Sequence, residues 1–266
     1  MSVYIDQLNR EVTIKEKPFR IISLVPSQTE LLFDLGLEDE IIGITKFCVH
    51  PREWFNTKTR VGGTKNIHLQ KIKELNPDLI IANKEENVQE QIEELAKAFL
   101  VWISDITTLD DALQMISSIG EITGKTKQAE AITTRIKKGF DELKSSTANS
   151  RLKTAYLIWK DPYMTIGNDT FINDMLAKAG FENIFQHKKR YPEINLHELS
   201  TMRCDLLFLS SEPYPFRQKH IDELSVQLPL TKIILVDGEM FSWYGSRLSK
   251  APAYFTSLHQ QITSMV

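Results

Sequence analysis

An internal repeat with an offset of 127 residues constrains the fold of this chain more than any other feature of its sequence. Residues 68–80 can be laid over residues 195–207 without a gap, and the same register continues past both segments. The paired positions are Leu69/Leu196, Asp78/Asp205, Leu79/Leu206 and Glu85/Glu212. Both halves thus contain a helical segment, an aspartate, an apolar strand and a glutamate in that order. Such repetition predicts two similar structural units.

Short apolar runs rich in β-branched residues predict the strands of both units. They occupy Ile21–Val25, Ile41–Thr45, Leu79–Ala82, Val101–Ile103, Ala155–Trp159, Leu206–Leu209 and Ile233–Val236. Continuous apolar runs are typical of parallel sheets that helices cover on both faces. The segment from Tyr4 to Ile14 alternates around Asn9-Arg10, which predicts a small hairpin ahead of the first sheet.

A different pattern separates the two sets of strands. From Leu109 to Leu143 the apolar residues recur at helical spacing, with a break expected near Gly124. The sequence therefore predicts an α/β fold of two lobes with parallel sheets, joined by one long helix. The expected boundaries are an N-terminal α/β lobe over 1–108, an interlobe helix over 109–146 and a C-terminal α/β lobe over 147–266.

Composition and charge narrow the class of protein. The formal net charge is -3, and no run of lysine and arginine forms the basic stripe that nucleic-acid-binding proteins present. No stretch approaches the roughly 18 apolar residues that a membrane span needs. Two cysteines are too few for a disulfide framework. Because the N-terminus lacks the pattern of a signal peptide, a cytoplasmic location is expected, or a periplasmic one if a signal peptide was removed.

Candidate ligand-binding residues follow the predicted strands, because open α/β sheets bind ligands beyond the carboxyl ends of their strands. These segments are rich in aromatic and polar side chains, which would suit a flat, partly apolar ligand. The candidates are Pro26, Phe47, Cys48, His50, Lys65, Asn83, Glu85, Trp159, Tyr163, Glu212, Tyr214, Trp243 and Tyr244. Two alternatives stay open: that several of the rings complete the core, and that the glutamates are simply solvated.

Cys48 and His50 form a Cys-x-His pair that, together with Glu85, Glu86 or Glu212, could bind a transition metal. The spacing is weak, because no second histidine or ligand quartet lies nearby. Cys48, His50 and Glu85 could also serve a metal- or thiol-dependent enzyme. However, the chain has no Gly-x-Ser-x-Gly elbow, Walker loop, dinucleotide fingerprint or His-Glu-x-x-His. We therefore expect a protein that is not an enzyme.

Segments spread over nearly the whole chain carry a family resemblance: Asp6–Val12, Arg20–Ser27, Thr29-Glu30, Gly36, Val61–Gly63, Asn76–Ile80 and Gly180–Phe185. They resemble the class III, or helical-backbone, periplasmic-binding-protein family, whose members bind vitamin B12, haem and iron-siderophore complexes, and are closest to its vitamin B12-binding members. The resemblance implies two Rossmann-like lobes, a rigid interlobe helix and a ligand held between the lobes with little hinge motion.

Other stretches look like a signal-less branch of that family, the helical-backbone metal receptors: Cys48–Pro51, Gly62–Asn66, Asn83–Asn87, Trp159–Tyr163, Ser211–Phe216 and Trp243–Arg247. The resemblance also exposes departures. Transporter-linked members dock a permease through one glutamate on each lobe, and the repeat places Gln70 and His197 there. In the vitamin B12-binding members, tryptophans surround the corrin ring of the ligand. The positions that align with them hold Thr64, Asn83 and Tyr191 here, and only Tyr191 has an aromatic side chain.

We therefore expect a carrier or sensor that binds a metal-containing compound, namely a corrinoid, haem or an iron chelate, without a permease partner. Two other hypotheses remain at this stage. One is the receptor of an ABC importer whose signal peptide was removed. The other is the enzyme that uses Cys48, His50 and Glu85.

Overall fold

The computed structural model describes residues 2–147 and 152–264. The chain divides into two compact units, each built from several pieces of sequence. The N-terminal unit comprises residues up to 106, residues 110–136 and residues 243–247. The C-terminal unit comprises residues 107–109, those from 137 to 242 and those from 248 onward.

The N-terminal unit contains a parallel five-stranded sheet preceded by a hairpin. Its strands are β1 (Ser2–Ile5), β2 (Glu11–Ile14), β3 (Ile21–Ser23), β4 (Ile41–Ile44), β5 (Thr59–Arg60), β6 (Leu79–Asn83) and β7 (Val101–Ser104). The order in the sheet is β5-β4-β3-β6-β7. Every neighbouring pair is parallel, as the continuous apolar runs predict. The two-residue β5 carries no recognisable pattern and was not predicted.

The predicted hairpin is confirmed. Strands β1 and β2 pair antiparallel, and Asn9 between them adopts a left-handed φ of 60°. Asp6 stabilises the turn, because its carboxylate accepts hydrogen bonds from the backbone N–H groups of Leu8 and Arg10, each at 2.9 Å. Val12 and Ile14 bury their side chains and so attach the hairpin to the unit.

Helices connect the strands of the N-terminal unit as parallel pairing requires. They are α1 (Pro26–Asp34), α2 (Arg52–Thr57), α3 (Leu69–Leu75) and α4 (Gln89–Ala96), followed by α5 (Leu109–Ile122) and α6 (Thr126–Thr147). The long helical segment predicted from residue 109 is thus two helices, and the break lies where it was expected. Gly124 takes a φ of 68°, which glycine adopts without a steric penalty. The boundary between the two units falls inside α6, after Ile136.

The C-terminal unit has a parallel four-stranded sheet. Its strands are β8 (Leu152–Leu157), β9 (Phe181–Asn183), β10 (Leu206–Ser210) and β11 (Lys232–Val236), in the order β11-β10-β8-β9. Its helices are α7 (Phe171–Lys178), α8 (Leu196–Thr201), α9 (Gln218–Gln227), α10 (Glu239–Ser242) and α11 (Ala251–Ser264). The three-residue edge strand β9 was not predicted.

The internal repeat is present in both sheets. The order β4-β3-β6-β7 in one unit corresponds to β9-β8-β10-β11 in the other, and β6 and β10 coincide at the offset of 127 residues. The aspartate before each central strand makes the same contact. Asp78 accepts a hydrogen bond from Arg20 N at 2.9 Å, and Asp205 accepts one from Lys153 N at 2.8 Å. Each aspartate therefore fixes the start of the neighbouring strand, which confirms two similar α/β units.

Candidate functional site

In the N-terminal unit, the turn after β4 directs Cys48 into the interior. The amide of Cys48 donates to the carbonyl of Thr45 at 3.2 Å, and this turn carries the thiol away from the surface. Its Sγ lies 3.0 Å from the hydroxyl of Thr29 and 3.1 Å from that of Thr45, and the side chain is fully buried. Burial raises the pKa of the Cys48 thiol. Contrary to the expectation of a ligand-facing or metal-binding thiol, Cys48 packs in the core.

The end of β6 is organised by Asn83. Its Oδ1 accepts hydrogen bonds from the amides of Glu85 at 2.8 Å and Glu86 at 3.0 Å, while its Nδ2 donates to Ser104 Oγ at 2.9 Å. Asn83 is 2% exposed and its hydrogen bonds shape this loop, and a contact with a ligand stays a prediction. Glu85 is left half-buried on that loop. The ammonium of Lys65 donates to the Glu85 carbonyl and holds the loop from the other side.

A short segment from late in the chain completes the N-terminal unit. The guanidinium of Arg247 donates to Glu30 from Nε at 2.7 Å and from Nη2 at 2.9 Å. Both side chains are more than nine-tenths buried. The same guanidinium lies 4.7 Å from the ring centroid of Trp243, and the edge of that indole meets the ring of His50 at 5.5 Å. Glu30 and Arg247 therefore position Trp243 and, through it, His50.

Gly245 allows this segment to approach helix α1. A β-carbon at this position would collide with the carbonyl oxygen of Ser27 and would come within 3.4 Å of Leu31. Tyr244 beside it is 6% exposed, which makes it largely a packing residue. Pro26 occupies the first turn of α1 and is half-buried, and Phe47 is 51% exposed with the ammonium of Lys46 over its ring at 5.1 Å.

In the C-terminal unit, aromatic side chains cluster after β8 and β10. Trp159 is 40% exposed, and its ring meets Tyr214 edge to face at a centroid distance of 5.6 Å. Tyr214 packs in turn on Phe216 at 4.7 Å. Tyr163 is half-buried against the same core, and burial raises the pKa of its hydroxyl. We call Trp159 and Tyr214 the aromatic pair.

Glu212 lies at the position equivalent to Glu85. Its carboxylate accepts a hydrogen bond from the hydroxyl of Ser242 at 2.7 Å, so the side chain is oriented. Its backbone is held by Ser210, whose hydroxyl donates to the Glu212 carbonyl at 2.6 Å. Thus the residue two positions earlier organises the glutamate loop in both units: Asn83 in one and Ser210 in the other. Tyr191 is half-buried and lies under the guanidinium of Arg190, 5.5 Å from the ring centroid.

The structure divides the predicted residues into two groups. Those that keep accessible surface are Pro26, Phe47, His50, Lys65, Glu85, Trp159, Tyr163, Tyr191, Glu212 and Tyr214. Cys48, Asn83, Trp243 and Tyr244 are buried and support the loops. Within the described residues, no three His, Cys, Asp or Glu side chains converge to form a metal site. The proposed Cys48–His50 metal pair therefore has no support in the geometry.

Two functional contributors were missed from the sequence alone. In the sequence, Arg247 stands only at the end of one family-like stretch, and Glu30 only within another. No local pattern links them, because 217 residues separate the pair. Among the described helices, none combines the length and apolar character needed to cross a bilayer.

Comparison with known proteins finds a matching family and several relatives of this chain. The family model described as "Periplasmic binding protein" matches residues 21–227. An uncharacterized ABC transporter substrate-binding lipoprotein, YvrC of Bacillus subtilis, is 31% identical over 64% of this chain, and the match spans only 57% of its own length. The vitamin B12-binding protein of Photorhabdus laumondii is 28% identical over 73% of this chain and 71% of its own length.

A solved structure shares the fold at low sequence identity. The molybdate periplasmic binding protein MolA of Haemophilus influenzae is 15% identical and superimposes with a TM-score of 0.82, covering 100% of this chain and 92% of MolA. The family model covers well over half of the sequence, and both sheets have the repeated parallel order described above. The chain therefore belongs to the periplasmic binding protein family.

Proposed function

We propose that this protein is a substrate-binding protein whose ligand is a metal-containing compound: a corrinoid, haem or an iron chelate. The repeated arrangement at the carboxyl ends of the two sheets carries the proposal. Each unit places a glutamate, Glu85 or Glu212, two residues after its central strand, on a loop whose backbone is held by the last residue of that strand. The aromatic pair adds a partly exposed apolar surface, and its Tyr214 follows Glu212 by two residues. Such loops can bind the flat rim and the amide groups of a large chelate.

The relatives support this class of ligand. One is named for vitamin B12, a cobalt compound, and the structural neighbour is named for molybdate. We propose that the metal is held by the bound compound and not by side chains of the protein. The geometry supports this, because the buried thiol of Cys48 is hydrogen-bonded to two threonines. That burial also speaks against the enzyme hypothesis, since a nucleophilic thiol needs access and a lowered pKa. We propose binding without a catalytic step.

Delivery to an ABC importer is the second candidate function, and the substrate-binding lipoprotein among the relatives favours it. A location outside the cytoplasm fits the family better than the cytoplasmic location expected from the sequence. Docking through glutamates at the equivalent positions is not available here. Gln70 is exposed on α3 and donates a hydrogen bond to Glu74 at 3.2 Å, and His197 is exposed on α8. We propose that any permease contact uses other residues on those helices.

A titration tests the binding proposal. We expect cyanocobalamin, haemin or ferric ferrichrome to change the absorbance spectrum or to release heat on mixing, with one-to-one stoichiometry by native mass spectrometry. The variant Trp159→Ala should weaken that binding, because it removes half of the aromatic pair. Phe19→Ala is the matched control, since Phe19 is 63% exposed and belongs to no candidate surface. No response to any of the three compounds would overturn the proposal.

Cell fractionation separates the carrier from the importer receptor. Native protein recovered from a membrane or periplasmic fraction supports the receptor, and protein confined to the cytosol supports the carrier. Co-purification of a permease, followed by its loss in variants on the exposed face of α3, would identify the docking surface.

A further inference from the structure

His220 lies beneath the aromatic pair and connects it to helix α9. The imidazole is 3% exposed, and its ring centroid lies 5.5 Å from that of Tyr214 and 5.4 Å from that of Phe216. On one side, its Nδ1 accepts a hydrogen bond from the backbone N–H of Arg217 at 2.8 Å. On the other, its Nε2 lies 3.5 Å from the hydroxyl of Tyr214.

These contacts define the protonation state of the ring. Because Nδ1 accepts a hydrogen bond, the proton of the neutral imidazole is on Nε2, which faces the Tyr214 hydroxyl. The neutral ring therefore links the first turn of α9 to the loop that carries Glu212 and Tyr214. Uptake of a second proton would place an N–H group at Nδ1 directly opposite the N–H of Arg217. The hydrogen bond would be lost and replaced by repulsion between two donors.

The surroundings of His220 disfavour that second proton. Burial lowers the pKa of the imidazole, and the positive charge of Lys160 lowers it further. Lys219 and Arg217 act in the same direction, while Glu223 opposes them. The carboxylate of Glu223 is itself paired with Lys160 at 2.5 Å, which limits its effect on the ring. Near neutral pH the ring is uncharged and both contacts are intact.

We infer that His220 is a positioning residue for the aromatic pair, and that its protonation, by breaking the contact with Arg217, frees the imidazole from α9 and with it the Tyr214 ring that packs on it and supports Trp159. This deepens the proposed function, since it makes the ligand surface of the C-terminal unit sensitive to acid. Ligand affinity would then fall as the pH drops, by tenfold for each pH unit below the pKa of the ring if only the neutral form binds.

The test needs no ligand and therefore stands apart from the binding proposal. Trp159 is the most exposed of the four tryptophans, so its emission, taken as the difference between the parent protein and Trp159→Phe, reports on the aromatic pair. We expect acrylamide quenching of this signal to rise by about twofold between about pH 7.5 and pH 5, as a local opening exposes the rest of the indole.

Variants of two histidines test whether the pH-dependent rise in quenching comes from His220. His220→Asn keeps an acceptor for the Arg217 N–H but takes up no proton, so its quenching should not depend on pH. His187→Asn is the control, since His187 is exposed and packs against Phe185 only loosely, at 6.2 Å between ring centroids. It should retain the step of the parent protein. A step that persists in His220→Asn, or no step in the parent protein, would overturn the inference.

A measurement on the unaltered protein covers the case in which His220→Asn does not fold. The ring of His220 can be titrated by NMR through its carbon-bound protons. Its midpoint should lie below the ordinary histidine pKa of about 6.5 and should coincide with the quenching step. Separate midpoints would contradict the inference even where binding of a metal compound has been demonstrated.

Discussion

Arg247 and Glu30 form a buried, bidentate ion pair within the N-terminal unit, with donor-acceptor distances of 2.7 and 2.9 Å. Arg247→Met should destabilise the protein by about 3–5 kcal/mol, because it leaves the Glu30 carboxylate buried without its main partner. Urea unfolding measures this loss as a lower midpoint. The double variant Glu30→Leu/Arg247→Met should recover most of the stability, since both charges are gone.

The surface pair Lys97–Glu94 provides the control for that experiment. Lys97→Met removes an ion pair at 2.8 Å whose lysine is 74% exposed, and such pairs contribute little because water screens them. A comparable loss of stability in both single variants would mean that burial does not determine the strength of the Arg247 pair.

Gly245→Ala tests the close approach of residues 243–247 to α1. The added methyl group would collide with the carbonyl oxygen of Ser27, and backbone atoms on both sides would have to move. We expect a loss of about 1–3 kcal/mol, typical of overpacking, measured as a lower melting temperature. Gly139→Ala serves for comparison, because its methyl group would meet only side-chain atoms of Pro252 in a helix that favours alanine. Equal melting temperatures for the two variants would count against the tight contact.

The Cys48 thiol should react slowly. Its raised pKa and complete burial keep it protonated and inaccessible at neutral pH. We expect alkylation of Cys48 by iodoacetamide, followed by mass spectrometry, to be at least about tenfold slower in the native protein than in urea. Cys48→Ser should leave ligand binding intact, since serine can keep the contacts with Thr29 and Thr45. Rapid alkylation of the folded protein would restore the enzyme hypothesis.

The two repeat aspartates should contribute unequally to stability. Asp78 accepts hydrogen bonds from the amides of Phe19 and Arg20, whereas Asp205 accepts one from the amide of Lys153. Replacement by alanine leaves these strand-start amides without the carboxylate, and because the bonds are exposed to water, we expect each to contribute less than the about 1.5–3 kcal/mol of a shielded hydrogen bond to a charged group. Asp78→Ala should therefore lower the urea midpoint more than Asp205→Ala. Equal midpoints, or a lower midpoint for Asp205→Ala, would show that the second amide contact of Asp78 adds no stability.

The fold was predictable because its signals are local. Continuous apolar runs identified β3, β4, β6, β7, β8, β10 and β11, and the repeat register placed β6 and β10 at equivalent positions. Strands β5 and β9 escaped prediction because two or three residues are too few to show a periodicity. Gly124 was identified as a break because glycine is unfavourable in a helix interior. The structure gives it a left-handed φ, which glycine adopts readily.

The candidate site was predicted less well, for reasons that concern direction and distance. A sequence places Cys48 after a strand but does not reveal the turn at Thr45 that sends its thiol inward. Asn83 has a polar side chain at a strand end, yet that side chain is already hydrogen-bonded to the amides of Glu85 and Glu86 and to Ser104 Oγ. The role of His220 depends on the side-chain direction in the first turn of α9, which no spacing rule specifies.

The assignment of residues 243–247 to the N-terminal unit bears on how this chain can be divided. A fragment ending at residue 136 would contain the buried carboxylate of Glu30 and the contact surface of α1, but neither Arg247 nor Trp243. Conversely, the remainder would contain these five residues without the helix on which they pack. A cut at residue 136 therefore divides the N-terminal unit itself, so any exchange of that unit between proteins must carry residues 243–247 along with residues 1–136.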